Sequence, residues 1–131
     1  MAAAVLLTSV AAQAQPEVQQ LFKSDRDGLG QPLHYADGAP AELTGAIVTL
    51  APGQSTGWHT HGIPVAGYLL SGSLTVEYAN GDKREFVAGE GVIEVLDAPH
   101  QGYNAGDEPV RIVVFYAGAP GVPLSAPAVA P

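Results

Sequence analysis

Short apolar runs recur along this chain, and each is cut off by glycine or proline before a helix of useful length could form. Gly (16) and Pro (11) together make up about a fifth of the 131 residues. Ala46 to Leu50 reads as a buried strand stopped by Pro52-Gly53. Further strands are expected at Thr56 to His61, Ala66 to Ser71, Ser73 to Tyr78, Arg84 to Val87, Val92 to Leu96, Gln101 to Tyr103 and Val110 to Tyr116. Asn80-Gly81 is a hairpin signal, since both residues tolerate positive φ. Strands repeating at intervals of about 8–12 residues predict an all-β sandwich or barrel.

The flanks are less regular. Pro16 to Gly30 reads as a short helix or strand followed by a loop, and Leu33-His34-Tyr35 as an edge strand turning at Asp37-Gly38. The Pro- and Ala-rich stretch from Gly118 to Pro131 predicts a loosely ordered tail. The chain therefore divides into residues 1–14, an N-terminal segment 15–45 with short edge strands, a barrel core 46–117 and a tail 118–131. A single domain of this length can bury a sizeable core.

The formal net charge is −8, with five Lys and Arg. So few cations cannot neutralise many phosphates, which argues against nucleic acid or an anionic membrane as a partner. Cysteine is absent, so disulfides, a catalytic thiol and a thiolate metal site are excluded. Any metal would be held by histidine, carboxylate and water.

Ala2 to Ala12 is apolar but too short to span a bilayer, and it runs into Ala12-Gln13-Ala14, an A-x-A cleavage pattern. The expectation is a signal peptide ending near Ala14 and a periplasmic or secreted protein, although no Lys or Arg follows Met1. The competing reading is a small N-terminal tail.

Three of the four histidines fall in one pattern: His59-Thr60-His61, answered by His100 about forty residues later. On a strand, residues two apart share a face, so His59 and His61 form half of a metal site that a third imidazole would close. Glu94 interrupts an apolar run of Val92, Ile93, Val95 and Leu96. A carboxylate there is costly unless it meets a cation or solvent. It is read as a metal ligand, as a base or orienting group beside the ligands, or as a surface residue. His34 lies outside the pattern and reads as an edge residue.

From Gly53 to Gly72 the chain spells G-x5-H-x-H-x3-V-x6-G, and from Gly89 it runs Gly89-Glu90, a strand, Pro99-His100 and then Asn104. These two stretches resemble the paired motifs of the cupin superfamily. The resemblance implies an antiparallel jelly-roll β-barrel, the double-stranded β-helix, with a divalent metal (Fe, Mn, Ni, Cu or Zn) held by His59, His61 and His100. The family ordinarily carries a fourth ligand, Glu, where Val65 stands here. By alternation, Trp58 and Tyr68 should face away from the metal, and Gly67 beside Val65 should leave a roomy pocket floor. Asn104 is expected to fix its loop through side-chain hydrogen bonds.

With no nucleophile motif, phosphate loop or dinucleotide fingerprint, chemistry should belong to the metal. One expectation is a metal-dependent enzyme acting on a small-molecule substrate. It would be either a dioxygenase-like oxidoreductase or a Lewis-acid isomerase or lyase with Glu94 as the catalytic proton carrier. The other is a non-catalytic module binding a metal or small molecule. A homodimer is expected, because edge strands need covering.

Overall fold

The computed structural model describes residues 14–131. Apart from Ala14, the expected signal peptide lies outside the described residues. These form ten strands and no helix: β1 (Glu17–Ser24), β2 (Glu42–Leu50), β3 (His59–Thr60), β4 (Val65–Ser71), β5 (Ser73–Tyr78), β6 (Lys83–Val87), β7 (Gly91–Ile93), β8 (His100–Tyr103), β9 (Val110–Gly118) and β10 (Ala126–Pro127).

The strands build two five-stranded antiparallel sheets, ordered β1-β2-β9-β4-β7 and β10-β3-β8-β5-β6. Successive strands often change sheet, which closes the jelly-roll barrel and confirms the all-β expectation. The longest ladder joins β2 to β9, from Glu42↔Gly118 to Leu50↔Val110 without a register shift.

The core follows from strand alternation. Val65 and Leu69 on β4, Val110, Ile112 and Val114 on β9, and Leu74 and Val76 on β5 point inward and pack together with Val92 and Leu50. Between these strands, the tight turns fall on glycines with positive φ. Gly81 (φ 88°) closes the β5–β6 hairpin. At Gly72 (φ 75°) a Cβ would lie 2.8 Å from the Pro109 carbonyl, so only glycine fits. Asn104, fully buried, donates to the carbonyls of Leu50 and Glu108 and accepts from the Gly106 amide, which pins the loop into β9.

Several local expectations change in three dimensions. Pro16 to Gly30 contains a strand, β1, with a bulge between Gln20 and Phe22. Leu33 to Tyr35 is no strand but an isolated His34↔Pro40 bridge, because Pro32 and Pro40 have no amides with which to extend a ladder. Strand β3 is two residues long: Gly57 (φ 74°) and the Ser55 hydroxyl that binds its amide turn the chain just before it. Trp58, just before β3, is half-buried and stands with its neighbours Gly57 and His59 at the cavity. The floor beside Gly67 is not roomy, since a Cβ there would lie 2.7 Å from Ile112 Cδ1. The tail is tied down rather than loose: Ala126 and Pro127 pair with Thr60 and His59, and the Ala128 amide donates to the Trp58 carbonyl.

Candidate metal centre

The ends of three strands bring the polar cluster together. His59 opens β3 and pairs across the ladder with His100, which opens β8. His61 follows the end of β3, and Glu94 follows the end of β7. On β7, Val92 is buried and Ile93 is 80% exposed, so alternation turns Glu94 inward. The surface reading of Glu94 is therefore overturned. One ligand atom from each of His59, His61, Glu94 and His100 lies within 4.8 Å of the others.

The geometry within the cluster is specific. Glu94 Oε2 is 2.8 Å from Nε2 of His61 and 2.8 Å from Nε2 of His100. The Nε2 atoms of His59 and His61 are 3.2 Å apart. Each ring is also held from behind, with Nδ1 facing a backbone carbonyl: Gly57 at 2.8 Å for His59, Leu124 at 2.7 Å for His61 and Ala98 at 2.9 Å for His100. A carbonyl only accepts, so all three Nδ1 atoms carry the proton and, in the neutral rings, all three Nε2 lone pairs converge.

This donor set fits a divalent cation. Two Nε2 lone pairs 3.2 Å apart repel unless a proton or a metal lies between them. Three imidazole nitrogens and one carboxylate oxygen, without thiolate, suit Fe, Mn, Ni, Cu or Zn. The backbone carbonyls behind the rings are the kind of support that orients metal-binding histidines. Without a metal, protons take the Nε2 positions and Glu94 binds them.

The electrostatics follow from that arrangement. Burial pushes the Glu94 carboxyl upward, but hydrogen bonds from His100 and His61 outweigh it and hold the group at about 2. Burial lowers His59, and its histidine neighbours add to the effect. Burial would also lower His100, yet the Glu94 hydrogen bond and the Ala98 carbonyl raise it overall. Tyr116, whose ring centre is 6.0 Å from that of His61, is raised by burial and then by the Glu94 charge.

The cluster opens onto a cavity of about 770 Å³ inside the barrel, walled by Leu50, Leu74, Val76, Ile112, Val114 and other residues. Gln101 lines it but is engaged by Ser55 and Glu77. His34 is exposed and lies outside the cluster, its Nδ1 facing the Tyr35 carbonyl. Sequence reasoning missed the Leu124 carbonyl, for which no sequence signal exists. It also missed Tyr116, which the alternation of β9 could have placed inside the barrel.

Residues 46–116 match the cupin domain family. In fold, the chain is similar to a double-stranded β-helix protein from Klebsiella pneumoniae, with a TM-score of 0.68, 18% identity, and coverage of 90% of this chain and 88% of that one. It is similar to a cupin domain from Bordetella pertussis, with a TM-score of 0.60, 17% identity, and coverage of 80% and 95%. It also resembles part of an oxalate decarboxylase from Lactobacillus farciminis, solved as a formate complex, with a TM-score of 0.57, 23% identity, and coverage of 65% and 26%. No curated protein matches the sequence significantly. A family match over more than half of the chain, on a double-stranded β-helix with three of its four histidines gathered in one cluster, identifies this protein as a member of the cupin superfamily.

Proposed function

We propose that this protein is an exported metal-dependent enzyme that converts a small organic substrate inside the barrel. The observation that carries the reading is a cluster of three Nε2 atoms, each ring held from behind at Nδ1, gathered with one half-buried carboxylate within 4.8 Å. In this reading His59, His61 and His100 hold the ion through Nε2, and Glu94 completes the set through Oε2. Bound there, a divalent metal supplies Lewis acidity or, with a redox-active ion, oxygen activation. Such chemistry makes the enzyme an isomerase or lyase in the first case and a dioxygenase-like oxidoreductase in the second.

The chain's own groups do the rest. The three rings cannot swing, because their Nδ1 protons are engaged. Glu94, held ionised at about 2, suits a permanently charged ligand better than a strong base, because efficient proton transfer favours a group that titrates near the working pH. The apolar walls exclude water from the reacting end of the substrate.

Export to the periplasm or beyond rests on the Ala12-Gln13-Ala14 pattern. Self-association into a homodimer is supported by the outer face of the first sheet, where Phe22, Tyr68, Ile93 and Phe115 are exposed. The test of the central reading is elemental analysis of protein purified without chelator or histidine tag, beside a His59→Ala control. Near-stoichiometric metal, lost in the control, is the expected result. No metal in either, even after reconstitution, refutes it.

A further inference from the structure

All five Lys and Arg of the chain can be located, and none lines the cavity. Lys23 pairs with Glu42 and Lys83 with Glu77. Arg26 donates to the Gly30 carbonyl, and Arg111 is exposed on β9. Arg84 reaches only the ring of Tyr78, at 6.0 Å. An anionic group entering the cavity away from the histidines therefore meets mainly aliphatic and aromatic walls, with neutral polar residues such as Gln15, Thr56 and Ser125 among them, and no cationic partner, which is costly for a charge. At the cluster itself a divalent ion with three neutral histidines and one carboxylate keeps a single positive charge, which one anionic oxygen balances.

From this charge distribution we infer that the cavity takes an organic molecule with an uncharged, largely apolar body and one oxygen donor, itself neutral or singly anionic, and rejects dianions. The oxygen-donor half rests on the metal reading above; the preference for an apolar body does not.

Three probes on one skeleton separate the two: 2-naphthol, 2-naphthoate and naphthalene-2,6-dicarboxylate, whose second carboxylate lies at the far end of the rings, in equilibrium dialysis against metal-loaded and metal-stripped protein. Naphthol is retained in both states. Naphthoate binds at least ~10-fold tighter to the loaded protein, and the dicarboxylate binds at least ~10-fold weaker than naphthoate, its second charge being unpaired. Val18→Arg, at an exposed position on the cavity wall, should raise affinity for the dicarboxylate. Dicarboxylate binding equal to or tighter than naphthoate, or no retention of naphthol, overturns the inference. Naphthoate indifferent to metal, with naphthol still bound, overturns the oxygen-donor half and the metal reading while sparing the apolar preference.

A separate set of contacts carries a second inference. The segment after β9 returns to the site: the Leu124 carbonyl accepts from His61 Nδ1, β10 pairs with β3 at His59 and Thr60, and the Ala128 amide donates to Trp58. Leu124 also packs against the core. We propose that this C-terminal strap is a positioning element of the metal centre. Docking of the strap fixes the His61 ring, and metal bound to His61 in turn holds the strap, because coupling between two sites is reciprocal.

Deletion of residues 122–131 should weaken metal affinity by about 10–100-fold, as loss of groups that orient a metal ligand does. Ala128→Pro in the full chain, removing one amide that anchors the strap, should weaken it by about 5-fold. Metal loading of the native chain should slow hydrogen exchange of the Ala128 amide, a readout independent of activity. A folded deletion variant with native metal affinity overturns the proposal. Should the deletion fail to fold, Ala128→Pro with native affinity, or exchange at Ala128 indifferent to metal, does the same. A native chain that binds no metal instead refutes the metal reading on which the strap depends.

Discussion

The backbone amide of Glu94 donates to the carbonyl of Val65 at 3.0 Å. Val65 occupies the position where the cupin motif ordinarily carries its glutamate, and its own side chain is buried in the core. Because β4 and β7 are ladder neighbours, the acid arrives beside the histidines from the adjacent strand.

A carboxylate supplied from β7 should be replaceable by one on β4. Glu94→Val is expected to reduce metal affinity by at least ~10-fold. Adding Val65→Glu to that variant should recover part of the loss, since residue 65 faces the barrel interior. Competition with a chelating dye measures both changes.

His61 is buried, bonded to Glu94 at one nitrogen and to Leu124 at the other. His61→Ala should bring metal content down to background and leave the Leu124 carbonyl without its donor. Elemental analysis beside a His34→Ala control, which should keep its metal, checks the assignment.

The metal-free protein should show a stability plateau set by the cluster. Glu94 is depressed from 4.5 to about 2, so its contribution is fully present above 4.5 and is lost as pH falls toward 2. His100 is raised above 6.5, so its contribution is present below 6.5 and fades as pH rises through its folded value. His59, lowered by burial, works in the opposite sense and flattens the plateau. Thermal melts of stripped protein should therefore peak between 4.5 and 6.5, and Glu94→Gln should blunt the acid limb. In loaded protein the melting temperature should instead climb as protons leave Nε2.

Leu69 is fully buried between β7 and β9. Leu69→Ala is expected to destabilise the barrel by about 2–5 kcal/mol through lost burial and the cavity left behind. Denaturant titration gives the value. A change within ~0.5 kcal/mol would place Leu69 outside the cooperative core.

Where a signal was local, the reading from residues alone matched the structure closely. Runs such as Ser73 to Tyr78 and Val110 to Tyr116 coincide with strands because apolar alternation and turn glycines act within a few residues. The same reading left a void at Gly67 because the residue that fills it, Ile112, comes from a strand far along the chain.

The chain by itself determined an all-β barrel, a histidine set able to hold a metal without thiolate, and an acidic net charge. Composition and short-range spacing suffice for those. Only the tertiary structure decided that Glu94 faces inward, that three Nε2 atoms converge, and that the Leu124 carbonyl locks His61. Those depend on which strands become neighbours and on contacts between residues as far apart as positions 61 and 124, where no local periodicity carries information.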